Sequence, residues 1–261
     1  MKKLLASDYD GTFFNGDVEQ VKRNIKAIQQ WKDAGNIFCF ATGRDVVNMK
    51  YEQDRFGVSY DFLVAVNGAY VVDDKRNVLY KRLIDNKVAT AIVDMLRKDS
   101  DGQLLVQNGI DGAYIVNYKD EDEYVQHLYH KVRQLYLQTP EEALQGEVVS
   151  VGCRADRFKV AKRLNALVNS TYGDLVSSYN NLTYVNVVPK NISKATGVDV
   201  VAKHCGIDAS NVYTIGDDRN DIDMIDRYYS AAMDLGVEDV KQYSNIVVDT
   251  VEEYVWHILN K

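Results

Sequence analysis

The sequence predicts a doubly wound α/β fold interrupted by an inserted α+β module, and three observations predict it. Short apolar runs alternate with amphipathic helical segments at both ends of the chain, the rhythm of parallel strands joined by crossover helices. Acidic and small residues follow several of those runs directly, at the strand ends where open α/β sheets bind ligands. Between residues 82 and 185 the rhythm changes to helix, two strands, helix, strand, helix, two strands. A catalytic core is therefore expected over residues 1–81 and 186–261, and an inserted α+β domain over 82–185.

In chain order, Leu4 to Ser7 is a first strand ending in acids. Asp17 then caps a helix with Val21, Ile25 and Ile28 on one face and Gly35 beyond its end. Asn36 to Ala41 is apolar at successive positions, as a strand buried on both faces should be, and Thr42-Gly43-Arg44 opens another helix. Phe62 to Val66 forms a further strand ending at Asn67-Gly68, and a hairpin runs from Tyr70 to about Tyr80, turning near Asp73-Asp74. Strands are expected in the insert at Gln103 to Val106, Ala113 to Val116 and Glu147 to Val151. The alternation resumes after Pro189 with a helix from Ser193 to His204, a strand from Asn211 to Ile215, and a helix starting near Asp217.

The 261 residues, 46% hydrophobic and 26% charged, suit a globular protein of two compact parts. A formal charge of −7 with no basic stripe argues against a nucleic-acid partner. No stretch approaches the roughly 18 apolar residues of a membrane span, so no membrane partner is expected. The start of the chain lacks the apolar core of a signal peptide. Cys39, Cys153 and Cys205 are widely spaced without metal-ligand patterns, which fits reduced thiols and a cytoplasmic setting.

Asp8 and Asp10 stand two apart where the first strand ends, and Gly11 permits the turn that lets both serve one centre. Two blander accounts compete: a solvated acidic turn, and a calcium loop, the latter rejected because Phe13 stands where that loop needs glycine. Gly216-Asp217-Asp218-Arg219-Asn220-Asp221 gathers acids after another apolar strand. Clustered carboxylates repel unless a cation or proton relieves them, and hard oxygen ligands suit Mg²⁺. Asp218 or Asn220 serving only as a helix cap is the competing account there. Thr42 and Gly43 offer a hydroxyl and backbone N–H groups to an anion at a helix start, or merely cap it. Lys194 begins a helix, where the helix dipole disfavours a cation, so either it has another task or it is an ordinary surface lysine.

The order of these features, acid pair, hydroxyl, lysine and late acid cluster, resembles the haloacid dehalogenase superfamily. The four motifs are Asp8-Tyr9-Asp10-Gly11-Thr12, Ala41-Thr42-Gly43-Arg44, Lys194, and Gly216 to Asp221 with Asp217, Asn220 and Asp221. The insert after the second motif, Asn191-Ile192-Ser193-Lys194 and Asn67-Gly68-Ala69 resemble the Cof-like phosphatase branch with its α+β cap. That resemblance implies a phosphoric monoester hydrolase in which Asp8 attacks phosphorus and Asp10 acts as general acid and base. It further implies Mg²⁺ held by Asp8, the Asp10 carbonyl, Asp217 and Asp221. Thr42, Gly43, Lys194 and Asn220 would bind the phosphoryl group. Small phosphorylated metabolites, sugar phosphates foremost, are the implied substrates, and the acid at Asp10 disfavours dehalogenation.

A phosphomutase or phosphotransferase on the same scaffold, or a phospho-aspartate signalling module, are the alternatives, and a monomer or small homo-oligomer is expected. Ala195, and the run Met233-Asp234-Leu235-Gly236, depart from the branch's usual residues. The insert's tyrosines, Tyr114, Tyr118, Tyr124, Tyr129 and Tyr136, are expected chiefly in packing, and His127 and His130 on a solvated helix face.

Overall fold

The computed structural model describes residues 2–99, 103–109, 113–116 and 140–261. Its elements, in order, are β1 (Leu4–Ser7), α1 (Val18–Asp33), β2 (Ile37–Ala41), α2 (Val46–Phe56), β3 (Phe62–Ala65), β4 (Tyr70–Asp73) and β5 (Val78–Lys81). There follow α3 (Asn86–Asp99), β6 (Gln103–Gln107), β7 (Ala113–Val116), α4 (Pro140–Ala143), β8 (Ser150–Arg154), α5 (Phe158–Tyr172), β9 (Val176–Asn181) and β10 (Tyr184–Pro189). The chain closes with α6 (Lys194–Cys205), β11 (Val212–Gly216), α7 (Ile222–Arg227), β12 (Tyr229–Met233), α8 (Glu238–Lys241), β13 (Ile246–Val248) and α9 (Val251–Leu259). It divides into two compact units: Met1–Gly43, Lys50–Tyr80 and Ser193–Lys261 form one, Arg44–Met49 and Lys81–Ile192 the other.

In the first unit a sheet runs β13-β12-β11-β1-β2-β3-β4-β5. From β13 to β3 every pairing is parallel, and β4 turns back antiparallel on β3. This is the doubly wound α/β fold the alternating pattern implies. Successive residues of β2 go to opposite faces, which is why Ile37 to Ala41 are apolar without a break. Cys39 and Ala41 join Leu4, Ala6, Val64 and Val212 against Val198, Val201 and Ala202 of α6 and Met224 and Ile225 of α7. Phe38 and Phe40 meet Phe13 edge-on or tilted, with centroids 6.2 Å and 4.9 Å away. Asp17 caps α1 by accepting from the N–H groups of Glu19 and Gln20, and Gly35 lies just past the helix end.

The register sets the site. Ser7, the last residue of β1, pairs with Ile215 of β11 on one side and Phe40 of β2 on the other. Because these strands are parallel neighbours, the residues that follow them (Asp8, Asp217 and Thr42) emerge along one edge of the sheet.

Two glycines let α6 lie close to that edge. Gly68 adopts φ +97°, and a Cβ there would stand 2.0 Å from the Ser193 carbonyl oxygen. A Cβ on Gly197 would lie 2.2 Å from Val64 Cγ1 and 3.1 Å from the Gly68 Cα. Gly197→Ala is therefore expected to push α6 off β3 and to lower stability by about 1–3 kcal/mol, as overpacking does. Urea unfolding measures it, and an unchanged midpoint would show that β3 gives way freely.

The second unit is built on an antiparallel sheet ordered β7-β6-β8-β10-β9. Ile92, Val93 and Leu96 of α3 and Ala161, Leu164 and Val168 of α5 belong to one core cluster with Leu104, Val106, Val151, Cys153 and Val185. The strand expected at Glu147 to Val151 lies further on, at Ser150–Arg154. Val148 instead makes an isolated bridge to Ile84, and Gly152 sits mid-strand because the Val185 carbonyl passes where a Cβ would be, 2.3 Å away. Tyr118, Tyr124, Tyr129, Tyr136, His127, His130 and the side chain of Tyr114 lie outside the described residues. Among the described residues no helix is long and apolar enough to cross a membrane.

Candidate active site

Five chain segments meet at the sheet edge. Asp8 leaves β1 with its N–H held by the Ile215 carbonyl at 3.0 Å, so the carboxylate is placed by the β1–β11 ladder itself. The next residues close a tight loop: Phe14 N–H donates to the Tyr9 carbonyl at 2.8 Å and Gly11 N–H to the Phe14 carbonyl at 2.9 Å. Gly11 takes φ +84°, and a Cβ on it would fall 2.2 Å from Asp217 Oδ2, so only glycine leaves room for that carboxylate. Thr12 closes the other side by donating its hydroxyl to Asp217 Oδ1 at 2.7 Å.

Lys194 is the cation of the site. It starts α6, yet its side chain is 1% exposed, and its ammonium donates to Asp8 Oδ1 and to Asp221 Oδ1, both at 2.6 Å. The unfavourable helix end is offset by two carboxylates, which settles why a lysine stands there. Asp221 is fully buried and its Oδ2 accepts from the N–H groups of Asp217 and Asp218, each at 3.0 Å. A Cβ on Gly216 would strike that carboxylate at 2.5 Å. Asp218 caps the turn by accepting from Arg219 N–H.

Asp8, Asp217 and Asp221 offer ligand oxygens all within 4.8 Å of one another. Burial raises the Asp8 carboxyl well above the usual aspartate range; Lys194 pulls it down, and Asp221 and Asp217 push it up again. Burial and then Asp221 push Asp217 up to about 6, against the lowering pull of Thr12 and Lys194. Burial alone would lower Lys194, but Asp221 and Asp8 outweigh it and hold the ammonium above the ordinary lysine range. Three carboxylates thus gather at one ammonium, which pairs with two of them. The arrangement lacks positive charge, has hard oxygen donors, and keeps open at Gly11 the space beside Asp217; a divalent cation fits it.

The residues that the resemblance would set against a phosphoryl group also lie together. Thr42, buried at the end of β2, donates its N–H to Val64 and accepts from Asn67 N–H, both at 2.9 Å. Asn67 lies in a turn where Val66, Asn67 and Gly68 all have positive φ, of 52°, 51° and 97°. Such backbone in a β-branched residue is strained, and strain of this kind gathers at functional sites. Asn67 Oδ1 accepts from Asn220 Nδ2 at 3.0 Å, while Asn220 Oδ1 is buried without a partner among the described residues. Gly43 flanks Asn67, whose Nδ2 would lie 3.4 Å from a Cβ there. Asp10 is exposed on the loop between Tyr9 and Phe14 and is not one of the three carboxylates whose oxygens lie within 4.8 Å of one another. Thr12 and Asn67, which the sequence offered only inside motifs, are contacts of the site in their own right.

A family model for haloacid dehalogenase-like hydrolases matches residues 5–257. The chain belongs to this family. Among relatives of this hydrolase, a 5-amino-6-(5-phospho-D-ribitylamino)uracil phosphatase of Bacillus subtilis is 22% identical over 276 residues, spanning 96% of this chain and 94% of that one. The HMP-PP phosphatase of Klebsiella pneumoniae is 23% identical over 226 residues, spanning 86% of this chain and 81% of its own. A subclass IIB sugar phosphatase of known structure shares the fold with a TM-score of 0.78 at 23% identity, over 98% of this chain and 99% of that one. The haloacid dehalogenase-like hydrolase described here is a phosphatase of the Cof-like branch.

Proposed function

We propose that this phosphatase hydrolyses small phosphorylated metabolites, sugar phosphates foremost, through an aspartyl-phosphate on Asp8. The observation that carries the proposal is the lysine bridge: Lys194 binds Asp8 and Asp221, both buried, at 2.6 Å, beside the half-buried carboxylate of Asp217. That arrangement aims a carboxylate and an ammonium at one point, as attack on a phosphoryl group needs. The names of the relatives support the substrate class, being phosphatases of a phosphoribitylamino compound, of HMP-PP and of a sugar.

In the first step an oxygen of Asp8 bonds to phosphorus while the bond from phosphorus to the leaving oxygen breaks, and Asp10 gives that oxygen its proton. In the second, Asp10 takes a proton from water, whose oxygen attacks phosphorus and releases Asp8 as a carboxylate. Lys194, the Thr42 hydroxyl, the Gly43 N–H and Asn220 hold the phosphoryl oxygens and offset their charge. Mg²⁺, held by Asp8, the Asp10 carbonyl and Asp217, would supply the positive charge that lets Asp8 ionise and that neutralises the phosphate. Asp221, whose two oxygens already accept from Lys194 and two backbone amides, supports that set and orients the lysine. The α+β unit is the part of the chain that would choose the substrate. Three free cysteines, two of them buried, support a cytoplasmic setting.

The test is phosphate release from sugar phosphates, nucleotides and an aryl phosphate, with Mg²⁺ or with a chelator. Release that requires Mg²⁺ is expected, and silence toward every member would overturn the proposal. Phosphate that moves to an added alcohol instead of to water would mark a phosphotransferase.

A metal that binds ionised carboxylates also links stability to pH. Asp217 titrates near 6 in the folded chain, above its unfolded value, so its contribution to stability is full in acid and is lost as pH rises through about 6. Mg²⁺ is therefore expected to raise the melting temperature clearly at about pH 8 and little at about pH 5. Equal shifts at both would separate the metal from these carboxylates.

A further inference from the structure

Glu52 is a buried acid that takes no part in the chemistry above. Glu52, in the second half of α2, is 4% exposed, and its Oε2 accepts from the phenol hydroxyl of Tyr9 at 2.9 Å. Tyr9 is fully buried and stands between Asp8 and Asp10 in the chain. Its ring stacks on Phe13 and Phe14, each 6.1 Å away, and meets Phe40 edge-on at 5.4 Å. One turn further along α2, Arg55 lies 3.7 Å from Glu52 Oε2 and places its guanidinium over the Phe14 ring at 5.6 Å and the Phe56 ring at 4.5 Å. Phe56 in turn touches Phe14, with ring centroids 5.5 Å apart.

The α2 helix thus grips both ends of the loop that carries Asp10. Tyr9 is held through its hydroxyl and Phe14 through its ring, and the backbone bond from Phe14 N–H to the Tyr9 carbonyl closes the loop between them. Asp10 itself is exposed, and its backbone is carried by this loop, bridged to Phe14. Burying a carboxylate is costly, and here the Tyr9 hydroxyl and the Arg55 guanidinium are among the groups that meet it.

We propose that Glu52 is a positioning residue for the phosphatase reaction, holding Asp10 at the leaving oxygen through the Tyr9 hydroxyl. This rests on Asp10 being the general acid. A loosened acid slows departure of an alkoxide, which needs a proton, far more than departure of an aryloxide, which does not. The fault would therefore show as a dependence on the leaving group, which a general loss of folding does not produce.

The experiment compares kcat/KM for a hexose phosphate and for p-nitrophenyl phosphate in Glu52→Ala, Glu52→Gln, Tyr9→Phe and Asp10→Asn. Glu52→Ala is expected to lose about 10- to 100-fold on the hexose phosphate and under about 3-fold on the aryl phosphate. Tyr9→Phe should match it, with little further loss in the double variant, and Glu52→Gln, which keeps an acceptor, should recover most of the activity. Should Glu52→Ala fail to fold, Tyr9→Phe removes a single oxygen and gives the same comparison. Equal losses on both substrates would reduce Glu52 to a packing role. If Asp10→Asn is selective for the hexose phosphate but the Glu52 and Tyr9 variants are not, the positioning role falls and the acid stands. If Asp10→Asn is itself unselective, the general-acid reading falls and the positioning role with it.

Discussion

Asp8→Asn is expected to lower phosphate release by about 10⁴-fold or more while leaving the protein folded, because it removes the nucleophile and little else. Asparagine keeps the shape of aspartate and an oxygen for the Lys194 ammonium, which now meets Asp8 Oδ1 at 2.6 Å. Lys194 also keeps its second partner, Asp221. The carboxylate being replaced is one that burial disfavours in its charged form, so its removal relieves crowding among Asp8, Asp217 and Asp221. The melting temperature of the metal-free variant should therefore equal or exceed that of the parent. Steady-state phosphate release and thermal unfolding give the two numbers, and mass spectrometry of the quenched parent looks for the added phosphoryl group. Activity within about tenfold of the parent would mean that another group attacks phosphorus.

Asp8 and Asp217 were legible in the sequence for a simple reason: each is an acid placed directly after an apolar strand, where burial makes a charge expensive unless it has work to do. Lys194 was legible by a similar conflict, a cation at the wrong end of a helix. Such conflicts are local, and local conflicts survive in a one-dimensional reading. What joins the groups is not local. Asn67 and Asn220 meet across 153 positions, and Lys194 and Asp8 across 186. Nothing in the vicinity of Asn67 signals its partner beyond its place at a strand end. Glu52 was silent for another reason: on a helix with Lys50 and Asp54 as neighbours it looks like one more solvated charge, and only the fold buries it against Tyr9. The displaced strand β8 has a comparable cause, since a glycine within an apolar run marks a strand's end as readily as the passage of a neighbouring carbonyl.

Lys194→Met tests the electrostatics of the site most severely. Methionine keeps the length and most of the volume of lysine, so packing at the start of α6 is preserved while the ammonium that pairs with Asp8 and Asp221 is lost. Breaking a buried ion pair on one side costs about 3–5 kcal/mol, because the remaining charges stay buried and uncompensated. The loss should depend on pH in a fixed direction. Lys194 lowers both Asp8 and Asp217, so its removal lifts carboxyls that already stand above their unfolded values. A group raised in the folded state stabilises below its unfolded pKa and ceases to do so as pH rises through the folded one. The variant should therefore approach the parent near about pH 4–5 and fall away from it steadily toward about pH 8, as read by urea unfolding of metal-free protein. Catalysis should fall by about 10²- to 10³-fold at any pH where the chain is folded, since the phosphoryl oxygens lose their preplaced cation. A stability gap that stays constant with pH would show that Lys194 acts through packing. A variant as active as the parent would leave the ammonium without a place in the reaction and shift the burden of phosphate charge to the metal and to Thr42.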